Sequence, residues 1–128
     1  MNYIQFRRSN KAFTLIELLV VVLILGIVTS VALPSYFTSV TATREGAANE
    51  NARALANAVQ SRAIETSSYD TTVADYAVDL GGEIPLNPCT GTTASGYTIH
   101  ATATSAVVSA AVGTGCGSWT PTTNSLSL

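Results

Sequence analysis

Two sets of residues in this chain have types and spacings that could do chemistry. The first is a lone carboxylate in an apolar run. Phe13 to Leu33 spans 21 residues, and Glu17 is the only charged one among them. A carboxylate inside a bilayer costs roughly 2.5–3.5 kcal/mol on insertion scales, so Glu17 calls for a specific partner. An ammonium group at close range meets that need, because opposite charges attract strongly where the dielectric is low and the geometry is right. The second set is Cys89 and Cys116, the only two cysteines, both beyond the apolar run. If that part of the chain is exported, one disulfide is the simplest reading, with two buried free thiols as the alternative. The loop closed would be worth roughly 3–4 kcal/mol in the chain-entropy model.

Other candidates carry less. His100 is the only histidine and falls on a strand face, where a surface or packing role is the plain reading. Asp75, Asp79 and Glu83 lie near one another as possible Ca²⁺ ligands, but their spacing matches no calcium loop and reads as a solvated acidic face. Trp119 reads as a cap on the core. There is no nucleophile motif, no phosphate loop and no Cys/His set at zinc spacing. The chain is therefore not expected to be an enzyme or to carry a metal or other cofactor.

The elements that position these residues follow from periodicity. At 1.5 Å per residue the run from Phe13 is about 30 Å of helix, enough to cross a bilayer. Ala48, Ala52, Leu55, Val59 and Ala63 recur at spacings of three and four, so the helix continues with one apolar face. Glu45, Asn49, Arg53 and Gln60 are assigned to its other side. Thr66-Ser67-Ser68 ends it. Residues 69–95, rich in Gly and Pro, read as a connection with a short helix near Thr72–Val78. From Gly96 to Thr104 strict alternation puts Tyr97, Ile99, Ala101 and Ala103 on one face and Thr98, His100, Thr102 and Thr104 on the other. A second strand is expected over Ala106–Val112 after a tight turn near Ser105. A short third strand or an ordered tail is expected around Gly115–Thr120. The fold class is α+β: a long N-terminal helix against a small antiparallel sheet. Such a helix is longer than a globule of this size, so its first half is expected to project into a membrane or a filament.

Charge points the same way. Of six cations, Arg7, Arg8 and Lys11 precede the apolar run, and no Lys or Arg follows Arg62. Cations in front of the span predict that residues 1–12 stay in the cytoplasm and that the rest is exported. Removing those three charges takes the formal net charge from −2 to −5. A head without a basic patch argues against direct binding to nucleic-acid phosphates. The abundance of Ser and Thr in the head is compatible with O-glycosylation or simply with a polar strand face.

The order basic run, small residue, Phe13, apolar stretch and Glu17 resembles the N-terminus of the type IV prepilins and pseudopilins. Gly26, Pro34, the segment Leu33-Pro34-Ser35-Tyr36 and the pair Thr43-Arg44 extend the likeness over roughly residues 7 to 44. The family usually has Gly before the peptidase cut. Ala12 is the nearest steric substitute, so cleavage between Ala12 and Phe13 is expected. The resemblance implies a leader at 1–12, a helix at 13–66 with 13–36 as membrane or filament core, and a head at 67–128. It implies N-methylation of Phe13 and roles in assembly for Glu17, Gly26 and Pro34. In that setting the partner of Glu17 is the Phe13 α-amine of a neighbouring subunit. The implied partners are other copies of the chain, the prepilin peptidase, an inner-membrane assembly platform and the membrane itself. The implied location is the bacterial inner membrane, head outward, before assembly, and an extracellular filament for adhesion or motility afterwards.

Major pilin, minor pilin, and pseudopilin of a type II secretion or DNA-uptake system share this motif. A DNA-capturing minor pilin would need another subunit to supply the cations. A rival from another class is a secreted, disulfide-stapled binding domain with an ordinary signal peptide. Ser30-Val31-Ala32 offers a small-x-small cleavage site for it. Glu17 argues against that rival, because an ordinary apolar signal region would not contain it.

Overall fold

The computed structural model describes residues 13–128. Residues 1–12, the expected leader with Ala12 at its end, lie outside the described residues. Helix α1 spans Leu15–Thr66, 52 residues without interruption, with Pro34 inside it. Its contacts divide the chain into two units, one ending at Tyr36 and one running from Phe37 to Leu128.

In the first unit no residue of the most apolar helical stretch is buried. Two of its hydroxyls are satisfied by helix carbonyls. Thr29 Oγ1 donates to the Leu25 carbonyl at 2.8 Å, and Ser30 Oγ donates to that of Ile27 at 2.8 Å. This is what an apolar solvent demands of a polar side chain, since nothing outside the helix can accept its proton.

In the second unit α1 buries Ala48, Ala52, Leu55, Ala56, Ala58, Val59 and Ala63. This is the face that the three-and-four spacing marks out, widened by two alanines. Leu55 and Val59 supply most of the buried bulk on that face. The helix stops where Ser67 turns into the left-handed region, φ 56°.

A 3₁₀ turn at Val73–Ala77 follows, then strands β1 (Tyr97–Ala101), β2 (Ser105–Ala110) and β3 (Asn124–Ser127). They form one antiparallel sheet in the order β1-β2-β3. The register sets Tyr97 against Ala110, Ile99 against Val108, and Ala106 against both Ala101 and Leu126. One sheet face therefore carries Tyr97, Ile99, Ala106, Val108 and Ala110, all buried. The opposite face carries Thr98, His100, Ser125 and Ser127, all exposed.

Three expectations need correction. β1 ends at Ala101, because Thr102 closes the turn through its backbone N–H, 2.7 Å from the Ser105 carbonyl. Ala103 and Thr104 therefore sit in the turn rather than the strand. The third strand lies at Asn124–Ser127 and not at Gly115–Thr120. The earlier segment is held elsewhere: Cys116 is tied to Cys89, and the Gly115 N–H donates to the Cys89 carbonyl at 3.0 Å. Asn49 and Gln60 do not merely face solvent. Asn49 Oδ1 accepts from the Thr122 N–H at 3.0 Å, and Gln60 Nε2 donates to the Ser127 carbonyl at 3.1 Å. They fasten the C-terminal segment along α1.

Candidate functional site

The N-terminal residues of α1 form the first candidate site. Phe13 is 75% exposed. Thr14 precedes the first helical residue and Glu17 sits in the first turn. The Glu17 N–H donates to Thr14 Oγ1 at 3.3 Å, and Thr14 Oγ1 donates to Glu17 Oε2 at 3.5 Å. This is a variant of the capping box, in which a Thr and a Glu three residues apart answer each other across the first turn. The carboxylate also lies at the positive end of the helix dipole. The spacing Thr14-x-x-Glu17 is the sequence signal for this local contact.

Gly26 lies further along the same segment. A Cβ there would meet nothing within 4 Å, so the chain's own packing does not require glycine. A helix surface without a side chain lets another helix come close in an apolar medium. Pro34 is accommodated without ending α1, although it has no N–H to give to the helical ladder.

The second unit is organised around the bond between Cys89 and Cys116, whose Cα atoms are 5.0 Å apart. Beside it Asn87 is fully buried. Its Nδ2 donates to the Gly96 carbonyl at 2.6 Å and to the Ala111 carbonyl at 3.1 Å, and its Oδ1 accepts from the Cys89 N–H at 2.9 Å. One amide thus joins the start of β1, the end of β2 and the disulfide loop. No sequence motif announced Asn87; a lone Asn between two prolines reads as a turn residue.

Titratable groups in the head serve structure. Arg62 pairs with Asp79, donates to the Asp75 carbonyl at 2.8 Å and stacks over the Tyr76 ring at 4.6 Å. Asp79 is thereby engaged by a cation within the fold. Backbone donation from Thr72 holds the Asp70 carboxyl below its ordinary range. Burial raises the Tyr76 hydroxyl, and the nearby Asp70 charge adds to that. Burial likewise raises Tyr97. The Asn51 side chain, whose Nδ2 donates to the Leu86 carbonyl at 3.1 Å, offsets part of that rise. His100 is exposed on the outer sheet face opposite Val107. Trp119 packs partly buried against the core.

Comparison with known proteins bears on the N-terminal site. The prokaryotic N-terminal methylation motif matches residues 7–33. The type IV major pilin protein PilA of Myxococcus xanthus (strain DK1622) is 33% identical over 81 residues, which cover 63% of this chain and 35% of that protein. The match thus spans about a third of that relative's length. No solved structure matches. With a methylation motif over the start of its apolar helix, a partial match to a major pilin and an α+β layout, the chain is similar to the type IV pilins in its N-terminal part.

Proposed function

We propose that this chain is the structural subunit of a type IV pilus or pilus-like filament. It is made as a prepilin with residues 1–12 as leader. It inserts in the inner membrane with its head outside the cytoplasm, is cut between Ala12 and Phe13 by a prepilin peptidase, and is methylated on the new Phe13 amine. An assembly platform then transfers it into a filament, where residues 13–36 pack in the core and the heads form the surface.

The observation that carries this reading is the apolar stretch of α1, which no described residue buries and which holds one carboxylate. Exposed apolar surface of that extent is unfavourable in water and needs a bilayer or other helices around it. Glu17 and a neighbour's Phe13 amine would form the one directional contact in an otherwise greasy interface, and so set the axial register. Gly26 supplies a place for close approach. Pro34, which weakens the ladder, marks where the helix can loosen as the subunit leaves the bilayer.

The test is to purify filaments from cells expressing the chain and determine the mature N-terminus by mass spectrometry. A methylated Phe13 start on the protein within filaments is the expected result. A start at Leu33, or filaments that lack the chain, would overturn the proposal.

A further inference from the structure

Residues 13–128 contain three cations, Arg44, Arg53 and Arg62. Two of them are committed across the head. Arg44 donates to the Gly115 carbonyl at 3.2 Å, and Arg62 is held by Asp79, the Asp75 carbonyl and the Tyr76 ring. Arg53 is different. Its only ion pair among the described residues is a local one with Glu50 at 3.9 Å, with side chains 65% and 74% exposed. Contacts of that length and exposure hold a side chain weakly.

Arg53 lines a groove of about 300 Å³ between α1 and the C-terminal segment, with Gly46, Asn49, Glu50, Thr122 and Asn124. Gly46 forms part of its floor. Glycine inside a helix is unfavourable relative to alanine, yet a Cβ on Gly46 would meet nothing within 4 Å. The chain's own packing does not explain the missing side chain. The space it leaves is open to something from outside.

We infer that this groove receives the Gly81-Gly82-Glu83 turn of a second copy of the chain, with the Glu83 carboxylate on Arg53. The inference rests on the filament role proposed above. Glu83 makes no ion pair among the described residues, and the turn is exposed throughout. Gly81 and Gly82 adopt φ 93° and 108°, and neither would bring a Cβ within 4 Å of another part of the chain, so no side chain crowds the turn beside Glu83. Asn49 and Thr122 add hydrogen-bonding groups beside the guanidinium, and Glu50 can remain as a third member of the charge network. Groove and turn are different surfaces of one chain, so their pairing is head-to-tail. Repetition of such a contact excludes a two-fold dimer and gives an open helical polymer where its rotation does not close into a ring.

The test is a charge exchange in the full chain, read as the fraction of mature protein recovered in filaments. Arg53→Glu and Glu83→Arg should each lower that fraction about tenfold, and the double variant should restore it to within about threefold of wild type, as in a double-mutant cycle. Arg53→Gln, which removes the cation without creating a like-charge contact, should also lower it. Gly46→Leu should fill the groove and reduce assembly while the thermal midpoint of the protein holds or rises. Normal assembly by the Arg53 and Glu83 single variants, or a double variant no better than either, would overturn the contact and leave the filament role standing. A wild-type chain that never enters filaments would refute that role and this contact with it.

Discussion

Asn87 and Gly96 are joined by a 2.6 Å hydrogen bond in which the buried amide donates to the glycine carbonyl. The same two residues are in steric contact: a Cβ on Gly96 would lie 2.7 Å from the Cβ of Asn87. Polar satisfaction and close packing coincide at one point, where the disulfide loop meets the entry to β1.

Removing either partner should therefore be costly. Asn87→Ala strips the amide from two carbonyls and the Cys89 N–H, and is expected to destabilise the head by about 2–4 kcal/mol, since each buried group left unpaired costs about 1–3. Gly96→Ala should destabilise through the clash. Chemical denaturation of the detergent-solubilised chain measures both. If the two residues act as one unit, the double variant should lose less than the sum of the single losses.

The Cys89–Cys116 bond closes a loop of sequence separation 27. Replacing both cysteines with Ala should lower head stability by about 3–4 kcal/mol in the chain-entropy model. Membrane insertion should be unchanged, because the apolar span lies in the other unit. Thermal unfolding with and without reductant, alongside membrane fractionation, checks the two halves of this statement.

Glu17 separates insertion from assembly. Glu17→Ala removes a charge from the apolar span, so insertion should become easier. Glu17→Gln can still cap the first turn, since Glu and Gln both serve in a capping box, but it offers no charge to a neighbour's amine. Both variants should accumulate in the membrane, be processed, and enter filaments poorly. Thr14→Ala is the control for the local contact. It should cost about 1 kcal/mol of helix-end stability yet leave the charge in place, so its assembly defect should be smaller. Filament yields at wild-type levels from both Glu17 variants, with normal protein amounts, would show that the capping contact is the whole role of this carboxylate.

The elements legible in the sequence were those governed by local period and composition. An uncharged run broken only by Glu17 states its need for an apolar surrounding wherever it is placed. The spacing Ala48, Ala52, Leu55, Val59, Ala63 marks a helical face because residues three and four apart must share one. Alternation from Tyr97 to Ile99 marks a strand face for the same kind of reason. The Thr66-Ser67-Ser68 run ends α1 through weak helix propensity, and two cysteines beyond the apolar run had one simple way to pair.

The tertiary structure alone decided what rests on distant encounters. β3 is a four-residue segment with one apolar side chain, Leu126, too short to show a period; its place beside β2 comes from pairing with residues some twenty positions earlier. Asn49 and Gln60 look like solvent-side residues until the C-terminal segment arrives to use their side chains. Asn87 becomes the centre of the head only when β1, β2 and the disulfide loop converge on it. Hydrogen bonds across the fold depend on where the chain returns, and no local pattern of residue types encodes that return.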